Sequence, residues 1–404
     1  MKRDMSYREF CLFGVRFLMI SALLILWNTP VYGEETRGVS DDTIKIGAIN
    51  DMTGPFAADT GPEGYVGGIR LYFKHVNEKG GIHGRKVKII AEDSRYTIPL
   101  SVAAFKKLVF RDKVLAILGY TGTGQTKALW SQIEKEKIPS FTVSLAEANV
   151  KPLQRYLFIP AATYEDEIRI LAKYIIEDLK AKNARIGIVT MQLEYGKVAI
   201  AALNERAKNY NIQPPAVEFI EPGAIDATSQ VLTLKKAKTD YVILHLGIAP
   251  TAAVVRSAMK FKFSPTFFGT FYSCDEEIIR LGGKAAEGYI GIHSFNPWYY
   301  RSSGMDQLRN ITLKYQPGKS RNRCYLQGWV TSMILAEAMK KAGKALTNES
   351  LIDAVESLRD YSTGDICAPI TYSTTSHKAS EYCRLYVADV KNVQFKPLTG
   401  WIKP

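Results

Sequence analysis

Short β-branched runs alternate with runs of helical period along almost the whole of this chain, and few folds accept that order of parts. The segment 61–94, GPEGYVGGIRLYFKHVNEKGGIHGRKVKIIAEDS, contains most of one repeat. From Tyr65 to Lys79 the residues Val66, Ile69, Tyr72, Phe73 and Val76 fall on one face of a helix. "TIKIGAIN" before it and "KVKIIAED" after it read as strands, and Gly80, Gly81 and Gly84 supply the helix stop and the turn. This is a βαβ unit, for which a right-handed crossover is expected. The pattern continues through a helix over 99–110, the strand "VLAILG", a helix over 126–135 and the strand "PSFTVS". A parallel sheet covered on both faces follows.

A second series begins after "LFIPAAT". It runs through a helix over 165–179, "RIGIVTM", a helix over 196–209, "PAVEFIEP", "TDYVILHLG", a helix over 250–260 and "PTFFGTF". The expected fold class is therefore α/β, with two doubly wound parallel-sheet lobes in tandem joined by a hinge. "GYIGIHSF" and the long helix near 328–342 are expected to return to the first lobe. That gives residues 43–160 plus 288–362 for lobe 1 and 161–287 plus 363–404 for lobe 2, with a cleft between them.

The first residues place Lys2, Arg3, Arg8 and Arg16 ahead of an apolar run from Phe17 to Trp27, followed by Val31 and Gly33. This is the pattern of a cleaved signal peptide over 1–33, with an apolar core too short to span a bilayer as a helix. Its removal takes the net charge from +13 to +11. Such a field concentrates anions. The basic residues are scattered and form no run of five, so nucleic acid is not the expected partner. Four cysteines remain, Cys274, Cys324, Cys367 and Cys383, in a compartment that permits disulfides. Cys367 and Cys383 flank "APITYSTTSHKASEY", which reads as two extended arms around a turn, and are expected to pair. No cysteine or histidine spacing asks for a metal, no cofactor loop is present, and no G-x-S-x-G, H-E-x-x-H or Walker motif supports an enzyme.

The stretch "IKIGAINDMTGPFAADTGPEGYVGGIRLYFKHVNEKGGIHGRKVKIIAEDS", with "VLAILGYTGTGQTKAL", "EYGKVAI", "DYVILHLG" and "AAEGYIGI", resembles the periplasmic solute-binding proteins of the branched-chain amino acid type. The resemblance covers essentially all of the chain after the signal segment. It implies a periplasmic binding protein fold of type I, a small-molecule ligand in the cleft, delivery to an ABC permease, and a periplasmic monomer.

By that resemblance a ligand carboxylate is held in the loop "GYTGTGQT" and in the loop after the next strand. The residue types agree. Gly119, Gly122 and Gly124 let backbone N–H groups approach closely, Thr121 and Thr123 offer hydroxyls, and Thr126 is a candidate helix cap. Ser144 and the Ala146 backbone belong to the second loop, Tyr195 matches a tyrosine that closes from the other lobe, and Thr60 matches a contact at the entrance. In amino-acid binders of this family an acidic residue that meets the ligand ammonium stands where this chain has Phe271, with Tyr272 beside it and Asp275 nearby. A tyrosine expected in "HLGIAPT" is also replaced, leaving His245, Ile248 and Ala249. Burying an unpaired ammonium is costly. The expected ligand is therefore an aromatic or branched organic acid without an amino group. The alternatives are a branched-chain amino acid or amide for the same kind of transporter, and a sensor that signals to a separate partner.

Overall fold

The computed structural model describes residues 36–318 and 320–404. The signal-peptide pattern of 1–33 lies outside the described residues.

The first series forms β1 (Thr43–Asn50), the short helix α1 (Ala57–Thr60), α2 (Tyr65–Glu78), β2 (Lys86–Asp93), α3 (Ile98–Lys106) and β3 (Ala116–Gly119). It continues with α4 (Thr123–Lys127), α5 (Trp130–Glu136), β4 (Ser140–Thr142) and β5 (Leu157–Phe158). These five strands pair in the order β2-β1-β3-β4-β5, all parallel. The helix expected over 126–135 is two helices, α4 and α5, separated by a turn at Ala128–Leu129.

The second series holds α6 (Tyr164–Lys173), β6 (Ile186–Thr190), α7 (Glu194–Asn209), β7 (Ala216–Phe219), α8 (Thr228–Lys236), β8 (Tyr241–Leu244), α9 (Ile248–Lys260) and β9 (Thr266–Gly269). Next come α10 (Glu276–Gly282), β10 (Ile290–His293), α11 (Ser303–Tyr315), α12 (Arg323–Ala342), α13 (Asn348–Glu356), β11 (Arg384–Asp389) and β12 (Gln394–Pro397). Seven strands pair as β12-β11-β10-β9-β8-β6-β7, with β11 and β12 antiparallel to their neighbours.

The expected return of "GYIGIHSF" to the first lobe is corrected here. Ile290 and Gly291 pair in parallel with Phe268 and Gly269, so β10 extends the second sheet. A strand buried on both faces gains most beside the strand it has just left by a crossover. The return is made by helices, since α12 packs along α2. A Cβ on Gly68 would stand 2.2 Å from the Tyr325 carbonyl oxygen, and one on Gly328 would stand 2.1 Å from that of Tyr65. Those two glycines let the helices meet backbone to backbone, which accounts for part of the glycine-rich start of the 61–94 segment.

The Cys367–Cys383 pair is also corrected, because all four cysteines are free and buried. Cys367 pairs through its backbone with Phe295, while Cys383 pairs with Ile402. The arms between them do close a tight turn at Ser373–Ser376, but each packs into a different hydrophobic cluster.

Candidate functional site

In a doubly wound sheet, ligands gather where the strand order reverses, outside the carboxyl ends of the strands. The first sheet reverses between β1 and β3, the second between β6 and β8. The loops after those strands face one another. The first lobe brings Phe56 after β1, Tyr96 after β2 and the turn Thr121–Gly122–Thr123 after β3, and the second brings Tyr164 at the start of α6, Tyr195 at the start of α7 and Tyr272 after β9.

The first-lobe wall is made of backbone and small hydroxyls. β3 ends in a turn that places Gly119, Tyr120 and Gly122 at φ of 124°, 61° and 103°. Tyr120 carries a side chain in the left-handed region, a local cost that recurs at ligand-handling turns. Gly122, which lines the cleft, precedes α4, whose first N–H groups have no intrahelical acceptor. Thr121 Oγ1 accepts from the backbone N–H of Asp51 at 3.1 Å, tying the ends of β1 and β3 together. Thr123 Oγ1 and Ser144 Oγ lie 3.0 Å apart, which joins the two loops expected to hold a carboxylate. The Asp51 carboxylate accepts from Gly54 and Phe56 N–H at 2.6 and 2.8 Å, ordering the loop that carries Phe56.

The second-lobe wall is a set of packed rings. Tyr195 stacks on His245 with centroids 3.7 Å apart, and Tyr164 meets Tyr195 edge-on at 5.1 Å. Tyr272 reaches across to Phe56 at 5.9 Å, and Phe56 to Tyr96 at 4.6 Å. The space enclosed between the walls is about 10 Å³, the room of about one water molecule. Anything larger than a water would need the two walls to part. At the mouth, Lys127 Nζ of the first lobe stands 3.3 Å from Glu194 Oε2 of the second.

A family model described as Periplasmic binding protein matches residues 43–394. The chain belongs to the periplasmic binding protein family. It is 25% identical over 250 residues to the Leu/Ile/Val-binding protein of Escherichia coli (strain K12), covering 62% of this chain and 67% of that one. A branched chain amino acid ABC transporter protein from Thermus thermophilus with bound valine shares its fold with a TM-score of 0.84 at 22% identity, over 91% of this chain and 98% of that one. The fatty acid ABC transporter substrate-binding protein from Thermomonospora curvata does so with a TM-score of 0.84 at 23% identity, over 92% and 95%.

In this periplasmic binding protein the residues singled out from sequence fall into two groups. Thr121, Thr123, Tyr195 and Tyr272 line the cleft, and Ser144 stands directly behind Thr123. The others form its support. Thr60 donates its hydroxyl to the Asp51 and Phe56 carbonyls at 2.9 and 3.2 Å. Ala146 is buried where it leads into the turn Glu147–Asn149. His245 backs Tyr195, with Nε2 3.2 Å from the Tyr195 carbonyl and Nδ1 2.8 Å from Thr270 Oγ1. A carbonyl only accepts, so Nε2 carries the proton and Nδ1 takes the Thr270 hydroxyl hydrogen. Burial lowers the His245 pKa to about 3, and the ring is neutral. Phe271 stacks on His293 at 4.1 Å, beneath Tyr272. Thr126 is not the cap of α4. Its Oγ1 donates within the turn, 2.8 Å from the Gly122 carbonyl oxygen, and Gly122 holds the cap position.

Asp275 turns away from the cleft, accepts from the Glu277 N–H at 2.8 Å as the cap of α10, and borders a separate groove of about 680 Å³. Three wall residues escaped the sequence reading: Phe56, Tyr96 and Tyr164. Each lies in a loop at the carboxyl end of a strand or at a helix start. The loop "TGPFAADTG" was the available signal for Phe56, whereas Tyr96 and Tyr164 look like any aromatic beside a helix.

Proposed function

We propose that this binding protein captures a small carboxylate with an apolar body between its lobes, an apolar amino acid foremost, and hands it to an ABC permease. The observation that carries this reading is the pairing of a hydroxyl- and N–H-rich turn on one wall with a ring-lined wall opposite. The turn around Gly122 suits an anion, and the rings of Tyr164, Tyr195 and Tyr272 suit an aliphatic or aromatic side chain. The E. coli relative is a Leu/Ile/Val-binding protein and the Thermus neighbour holds valine, which supports the amino-acid form. The signal-peptide pattern of 1–33 supports export, and the family and its ABC-transporter neighbours support hand-over to a permease.

A carboxylate without an amine is the second reading, favoured by one observation. The eight residues lining the cleft carry no ionisable acid or base of ordinary range, and Phe271 stands where an acid was expected. The fatty-acid transporter neighbour is consistent with it.

The test is thermal unfolding of the purified protein, stripped by partial unfolding and refolding, with leucine, valine and phenylalanine against 4-methylpentanoate, 3-methylbutanoate and 3-phenylpropanoate. A ligand at a hundredfold its Kd adds about 2.7 kcal/mol. Stabilisation by the amino acids supports the first reading, stabilisation by the amine-free acids alone supports the second, and no shift with either class overturns both.

A further inference from the structure

Glu167 stands one turn beyond Tyr164 on α6, on the same face, and is fully buried. Its Oε2 accepts from the backbone N–H of Phe271 at 3.0 Å, whereas its Oε1 is buried with no hydrogen-bond partner. The neighbouring acids of the same turn are satisfied: Glu165 accepts from the Glu147 N–H at 2.9 Å, and Asp166 faces Lys378 at 2.8 Å. A buried carboxyl oxygen left without a partner is a standing cost, and a polar group retained at such a cost calls for an explanation. Glu167 lies close enough to Tyr164 and Tyr195, two of the cleft rings, to perturb both phenols. The carboxyl thus sits under the ring wall, tied to the backbone of residue 271, with one oxygen open to a new partner.

We propose that Glu167 is the specificity-determining residue for the ligand's ammonium group, meeting it at the floor of the cleft when the lobes close. This rests on the amino-acid form of the function proposed above. The step balances simply. Burial, together with Asp166 and Glu165, raises the Glu167 pKa well above the usual carboxylate range, which favours the protonated acid while no cation is present. The groups around it, Tyr164 on its own helix, Tyr195 on α7, Cys274 after β9 and Cys383 just before β11, supply no positive charge. An ammonium ligand supplies it, the acid gives its proton to solvent, and the product is an ammonium–carboxylate pair.

The experiment compares leucine with 4-methylpentanoate, the same skeleton without the amine, by isothermal titration of the wild type and Glu167→Gln. The expected result is a loss of about tenfold to a hundredfold in leucine affinity, the scale of a charge-assisted hydrogen bond, with 4-methylpentanoate unchanged. Equal losses for both ligands would make Glu167 structural and overturn the proposal. Wild-type binding of 4-methylpentanoate alone would also overturn it while leaving the carboxylate reading intact, and binding of neither would instead sink the reading on which it rests. If the variant does not fold, the wild type still decides. Leucine must bind the wild type at least about tenfold more tightly than 4-methylpentanoate, and equal affinities reject the assignment.

Discussion

The two walls of the cleft are built on opposite principles. The first-lobe wall relies on backbone in uncommon conformations, with Gly119, Tyr120 and Gly122 all at positive φ and small hydroxyls tying the loops together. The second-lobe wall relies on side-chain packing, with Tyr195, His245 and Tyr164 in mutual ring contact. An anion is recognised by donors that must be aimed, and backbone geometry aims them at little entropic cost. An apolar body is recognised by area, which rings supply. The walls should therefore fail differently. One should lose geometry and the other volume.

The largest effect expected is on the ring wall. Tyr195→Ala removes a ring that is 4% exposed and should cost about 3–5 kcal/mol by denaturant unfolding, with ligand response lost as well. A cost below about 1 kcal/mol would mean that the ring wall is not a packed unit. On the backbone wall, Gly119→Ala places a Cβ 2.6 Å from both the Ile49 carbonyl oxygen and Asn50 Oδ1, at a φ of 124°. About 1–3 kcal/mol of stability should be lost, the range of a disfavoured backbone conformation.

Thr123→Val keeps the shape but removes the hydroxyl shared with Ser144. Stability should fall by about 1 kcal/mol and ligand affinity should fall with it, whereas a ring-wall change of equal stability cost should discriminate among side chains instead.

The walls also differ in pH response. Asp59, in α1 behind Phe56, has its pKa raised to about 8 by burial first and by the Asp275 charge second. A raised acid stabilises fully below its unfolded value of 3.8, and that contribution disappears as pH rises through 8. His245 is depressed from 6.5 to about 3 by burial, so its contribution is complete above 6.5 and is lost as pH falls through 3. Melting temperature measured across pH should show Asp59→Asn removing a fall in stability between about pH 4 and 8, and His245→Gln removing a rise between about pH 3 and 6.5. A swap of the two would refute the assignment. The smallest effect belongs to the mouth. Lys127 and Glu194 are both substantially solvated, so Lys127→Met should change ligand affinity by no more than about 1 kcal/mol, and less in high salt.

Much of the fold was legible because it rests on local pattern. The β1–α2–β2 unit, each strand–helix step of the second series and the Gly-rich turn after β3 are written by hydrophobic period and turn chemistry, which act between near neighbours in sequence. The site was legible where it coincides with that turn. Thr121 and Thr123 line the cleft, while Thr60, His245 and Phe271 share the neighbourhood but spend their groups on the Asp51 carbonyl, the Tyr195 carbonyl and the His293 ring. Residue type and loop position do not reveal which way a side chain turns.

Sequence by itself determined the class of layers, the alternation of strands and helices and the family, since each depends on the order of residues along the chain. Tertiary structure decided which sheet β10 joins, that Cys367 and Cys383 remain apart, and that Tyr164, Tyr195 and Tyr272 meet Phe56 across a cleft. Those outcomes depend on contacts between residues up to about two hundred positions apart, where burial of shared surface, rather than any local period, selects the partner.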